Sequence, residues 1–160
     1  MTNKYGIVRV DRVHGVADGR LKAKDELQNG LFVVQDEVTG ELKLPTAITE
    51  KTVLVASVCN QYDSMNEGDF TNVVGGINPR TLDLIGSDIV TITKFATSGT
   101  SAKTSYATIA VGDVGTVSAA TGELMFTTVA NIPATAVAQY EVIGKTKLNG
   151  DEALQIKKIV

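Results

Sequence analysis

The feature that most restricts this chain is a rhythm. Short runs rich in Val, Ile and Thr alternate with polar residues, and most are halted by a glycine-bearing dipeptide. The runs include GIVRVDRV (6–13), LFVVQDEV (31–38), KTVLVASV (51–58), RTLDLIG (80–86) and DIVTITKF (88–95). The stops include Asp18-Gly19, Thr39-Gly40 and Asn149-Gly150. A period of two places successive side chains on opposite faces of a strand, and such dipeptides reverse the chain. The chain carries 20 Val, 11 Ile and 19 Thr against 11 Leu and no Trp. β-Branched side chains are stiff at χ1 and pack well on a pleated surface. The expected fold is all-β: an antiparallel β-barrel or β-sandwich of roughly ten short strands with little helix.

At 160 residues and 43% apolar composition, one domain with its own core is expected over 1–160. Residues 1–20 form either an N-terminal arm or the first hairpin. In GIVRVDRV, strict alternation places Ile7, Arg9, Asp11 and Val13 on one face and Val8, Val10 and Arg12 on the other. LKAKDELQNG (21–30) is the best helix candidate in the first quarter, stopped by Asn29-Gly30, and reads equally well as irregular. In RTLDLIG, Leu82 and Leu84 point inward. NQYDSMNEGDF (60–70) and ATSGTSAKTS (96–105) are loop compositions, the second a surface excursion. SYATIAV, VGTVS, ELMFTTV and AQYEVIGKTKL are short and β-rich, and KLNGDEALQIKKIV closes the chain with the strongest hairpin pattern in it.

Thr-Gly-Glu-Leu occurs twice, at 39–42 and 121–124. A duplicated module would carry further matches at the same offset, but LVASVC (54–59) then falls on AVAQYE (136–141). The repeat is better explained as turn chemistry. Gly supplies a positive φ, the preceding Thr bonds locally, and Leu starts the next strand. Each copy is then a hairpin tip, LFVVQDEV-TG-ELKL and GTVSAA-TG-ELMFTTV.

A net charge of −3 with scattered lysines lacks the basic footprint of a nucleic-acid binder, and anionic membrane is an equally poor partner. No apolar run is long enough to span a bilayer, and MTNKYGIVRVDR lacks the apolar stretch of a signal peptide. Cys59 is the only cysteine, so no internal disulfide forms and a reducing compartment is expected; within VLVASVC it reads as a small core residue.

Catalytic chemistry is not expected. The single histidine, His14, lies between Asp11 and Asp18 in sequence, but no G-x-S-x-G accompanies it. Asp63, Glu67 and Asp69 in DSMNEGD lack the spacing of a calcium loop and read as a solvated acidic loop. VVGGINP and AVGDVGT lack the Gly-Lys-Ser/Thr of a phosphate cradle, and the aromatics are too few and scattered for a stacking platform. No catalytic, cofactor-binding or metal-ligating residue is assigned.

NGLFVVQDEVTGEL, PRTLDLIGSDIVTI and YEVIGKTKLNGDEALQIKKIV resemble, in style rather than by a diagnostic motif, the small virion proteins of tailed bacteriophages. The likeness is strongest to the decoration, or cement, proteins of the capsid surface. That resemblance implies a non-enzymatic structural protein made in the host cytoplasm and carried on the virion. Its partners would be the major capsid protein or other virion proteins, with self-association as a dimer or trimer. A tail, baseplate or fibre-adaptor component shares the composition. A small ligand- or calcium-binding barrel using the 60–70 and 96–105 loops is the alternative from a different class.

Overall fold

The computed structural model describes residues 6–57, 78–97 and 103–160, together with the backbone of 71–72. Residues 1–5, Val58, Cys59, the 60–70 loop with Asp63, Glu67 and Asp69, all of VVGGI (73–77) and the centre of the 96–105 window lie outside the described residues.

The described residues form a β-sandwich, not a closed barrel. The first sheet has the order β1 (Val8–Arg12), β10 (Ile89–Ile92), β14 (Asp151–Lys158), β13 (Tyr140–Leu148), β11 (Val114–Val117) and β12 (Leu124–Thr127). The second runs β2 (Val16–Asp18), β9 (Thr81–Asp83), β7 (Val53–Val55), β5 (Phe32–Asp36), β6 (Glu41–Lys43) and β3 (Lys22–Ala23). All neighbours are antiparallel except β3 and β6. β4 (Leu27–Gln28) and β8 (Thr71–Asn72) make a separate small pair. The only helical element among the described residues is one 3₁₀ turn, Val129–Asn131.

Alternation along the strands decides what each sheet buries. Val90, Ile92, Phe126, Leu124, Tyr140, Val142, Leu154 and Ile156 of the first sheet meet Phe32, Leu54, Leu82 and Leu84 from the second. The inward assignment of Leu82 and Leu84 therefore holds. Phe32 and Tyr140 stack across this core with ring centroids 4.9 Å apart. Successive residues of β5 and β7 face opposite ways, so Val33, Val53 and Val55 enter a second core with Leu21, Ala23, Leu27 and Leu42. Both faces of β7 are buried, which is why Val53, Leu54 and Val55 carry no polar alternation.

This second core explains the main departure from the expected elements. Residues 21–30 form no helix; they run extended, contributing β3 and β4. Lys22 and Lys24 donate their N–H groups to the carbonyls of Gly40 and Leu42 at 3.1 and 2.9 Å. In that conformation Leu21, Ala23 and Leu27 reach the outer face of β5 and β7. These very short pieces raise the strand count among the described residues to fourteen. SYATIAV also differs: Tyr106–Thr108 is a turn, closed by Thr108 and Ile109 N–H groups on the Ser105 carbonyl. The 96–105 window is tied down at both ends, with Ala96 and Lys103 donating to Leu124 and Phe126 of β12.

β1 keeps its strand but not its strict alternation. A bulge leaves Asp11 out of register with β10. Val8 and Val13, of opposite parity, then both pack against the main core.

Candidate functional site: two aspartate turns that clasp the last hairpin

β13 and β14 pair over eight register positions and are joined by Asn149 and Gly150, whose φ angles are 50° and 88°. Positive φ at both central residues is what a type I′ hairpin turn requires. This hairpin lies at the centre of the first sheet, flanked by β10 on one side and β11 on the other.

Each flanking strand is introduced by the same device. In IGSD (85–88), the Asp88 N–H donates to the Ile85 carbonyl at 3.0 Å, while Asp88 Oδ2 accepts the Ile85 N–H at 2.9 Å. In AVGD (110–113), the Asp113 N–H donates to the Ala110 carbonyl at 3.1 Å and Asp113 Oδ2 accepts the Ala110 N–H at 2.7 Å. The residue before each aspartate is left-handed, Ser87 at φ 75° and Gly112 at φ 94°. Each turn then docks on the hairpin by two backbone bonds. Ser87 and Asp88 exchange them with Lys158 at 2.9 and 3.0 Å, and Gly112 and Asp113 with Val142 at 2.8 and 2.9 Å. Lysines of the hairpin complete the match. The Lys158 amine donates to the Leu84 carbonyl and the Lys145 amine to the Ile109 carbonyl, both at 2.7 Å, one residue before each turn.

Asp88 is 1% exposed and Asp113 6%. A buried carboxylate survives only if its lone pairs are filled. Asp88 takes N–H groups from His14, Gly15 and Ile85, and Asp113 takes the Lys103 amine at 2.6 Å. Burial alone pushes the Asp88 carboxyl up; the three backbone donors outweigh it and hold the group below the ordinary aspartate range.

His14 therefore has an acidic neighbour, but neither of those beside it in sequence. Its Nδ1 lies 3.5 Å from Asp88 Oδ1, with the imidazole 68% exposed. Asp11 instead accepts the Thr91 hydroxyl, the Gln155 amide and the Arg9 guanidinium. Asp18 holds Arg20. Among the described residues, no ion pair joins the imidazole to a second carboxylate. Nor do those residues contain a group of three or more His, Cys, Asp or Glu placed to hold a metal ion. Chemically, the arrangement fastens strands.

The two aspartates escaped the sequence reading. The available pattern was an aspartate directly after a turn and before a β-branched run, GSDIV and GDVGTV. AVGDVGT lacks the lysine of a phosphate loop, and its Gly112 serves the left-handed position of a turn. The chain matches no protein-family model, no curated protein and no solved structure.

Proposed function

We propose that this chain is a non-enzymatic virion structural protein, a capsid decoration protein that binds the outer surface of a tailed-phage head and stabilises it. The observation that carries this reading is where the carboxylates go. Among the described residues, each one held below its ordinary range bonds other groups of the same framework. Asp11 bonds Thr91, Gln155 and Arg9; Asp18 bonds Arg20; Asp36 bonds Lys43 and two turn amides; Glu50 bonds the amides of Thr46 and Ala47; Asp88 bonds three amides. Carboxylates committed in this way make a rigid body, which suits a protein whose work is contact. Apolar side chains are offered at turns and tips, with Val38 96%, Val111 62% and Val129 64% exposed. The resemblance in Thr/Val/Gly-rich style to decoration proteins supplies the partner, the major capsid protein.

The purified protein is expected to co-sediment with phage heads assembled without it, to saturate at a fixed copy number per head, and to raise the temperature at which those heads open. Heads that leave it in the supernatant overturn the reading.

A further inference from the structure

We propose that β1 pairs with β1 of a second copy of this chain, antiparallel about a two-fold axis at Val10, so that two first sheets join edge to edge. Among the described strands β1 has a neighbour, β10, on one side only. The Thr93 N–H donates to the Ile7 carbonyl at 3.1 Å, and the register runs Val8–Ile92, Arg9–Thr91, Val10–Val90. Hydrogen-bonded pairs alternate along an antiparallel ladder, so Arg9 bonds β10 as Ile7 does. The N–H and C=O groups of Val8 and Val10 then face the open edge. Val10 is also 46% exposed, while its ladder partner Val90 is fully buried.

The charge order of β1, VRVDR, names the occupant. A two-fold contact must be self-complementary, each residue meeting its counterpart reciprocally. Centred on Val10, antiparallel self-pairing sets Val10 against Val10, and Arg9 of each copy against Asp11 of the other. Moving the axis to Arg9 sets Arg9 against itself, and moving it to Asp11 sets Asp11 against itself. Both alternatives place like charges directly opposite, which is destabilising. Of these three registers, only the one centred on Val10 sets opposite charges across the axis. The groups that specify it are already ordered on the outer face of the sheet. Arg9 Nε lies 2.8 Å from Asp11 Oδ1, and Asp11 Oδ2 accepts the Thr91 hydroxyl at 2.6 Å and the Gln155 amide at 3.1 Å. In the paired state the two Arg9–Asp11 couples become a four-membered network across the axis.

The other edges fit this role less well. β12, opposite β1 in the same sheet, is met by Lys103, whose N–H donates to Phe126. β2 has three residues, Val16, Ala17 and Asp18, and self-pairing about Ala17 would set an aspartate against a valine. The proposal is independent of the virion reading: a monomer would leave capsid binding open, and failure to bind capsids would leave this contact open.

Sedimentation equilibrium over a concentration series tests it. The expected result is a reversible monomer–dimer equilibrium. Arg9→Glu and Asp11→Lys should each weaken self-association by roughly tenfold or more, because each sets like charges across the axis. Mixed one to one, the two variants should associate again, since glutamate at 9 meets lysine at 11. Val10→Pro removes an N–H that β10 does not use and should yield a monomer with an unchanged β-type circular dichroism spectrum. This third variant decides the matter if the Asp11 substitution unfolds the chain. A wild-type monomer up to ~1 mM overturns the proposal, as does a dimer that Arg9→Glu and Val10→Pro leave intact.

Discussion

Ser87 and Gly112 occupy the same place in two equivalent turns, but only one of them is a glycine. A left-handed conformation costs an L-residue roughly 1 kcal/mol that glycine escapes. The Ser87 side chain is exposed, so its removal forfeits little packing. Ser87→Gly should therefore raise stability by about 0.5–1 kcal/mol, and Gly112→Ser should lower it by a similar amount, read as opposite shifts in thermal midpoint. The aspartate that follows Ser87 has a different signature. A carboxyl depressed in the folded state contributes stability that is present above its unfolded pKa and lost as pH falls through the folded value. For Asp88 that loss begins as pH drops past the ordinary aspartate value of 3.8 and continues below it. Asp88→Asn should cost about 2 kcal/mol at neutral pH. It should also flatten the acid limb of the stability profile, measured by urea unfolding from pH 7 to pH 2. An acid limb as steep as wild type would count against the turn as described.

Among the elements, the repeated Thr-Gly-Glu-Leu shows how one local device acquires two tertiary fates. Gly40 and Gly122 have φ angles of 73° and 70°, and each donates its N–H to the carbonyl four residues earlier, Asp36 at 2.9 Å and Ser118 at 3.0 Å. The hairpin tips are β5–β6 and β11–β12, as the turn chemistry predicts. The first tip is free: a Cβ on Gly40 meets nothing within 4 Å. The second is docked on the other sheet. The Phe32 N–H donates to the Gly122 carbonyl at 2.8 Å, and a Cβ on Gly122 would lie 2.5 Å from the Phe32 carbonyl oxygen. Gly40→Ala should thus cost about 1 kcal/mol, for the left-handed backbone alone. Gly122→Ala should cost at least about twice as much, because β5 and the tip must also separate. Equal losses in chemical denaturation would mean that the second tip is not seated as described.

On the scale of the whole molecule, the two sheets face each other across the main core, and the extended 21–30 segment, which begins at the edge strand β3 of the second sheet, covers the outer face of β5 and β7. Asn29 locks that segment in place. Its side chain accepts the Ser57 N–H at 2.8 Å and donates to the Ser57 carbonyl at 3.1 Å, acting as a strand neighbour would. The polar groups that buried β structure must satisfy are met mostly by such internal partners. Among the described residues, the outward features include the open edge of β1, the Val38 tip and the exposed Val16, Val111 and Val129. The β1 contact and the capsid contact proposed above are the two measurements that assign those features.

The amino-acid sequence by itself determined the class and the punctuation. Val, Ile and Thr at period two call for strands. Asn149-Gly150 and the two Thr-Gly pairs act within a few residues, so their consequences hold wherever the segment is placed. Tertiary structure decided what depends on distant pairing. It chose a sandwich over a barrel, drew 21–30 out into an extended cover, buried Asp88 and Asp113, and gave His14 an aspartate some seventy residues away as its neighbour. The physical reason is that burial is a relation between segments. A carboxylate in a turn becomes a strand clasp only when remote amides close over it, and a short amphipathic run becomes helix or cover according to the apolar face it is offered.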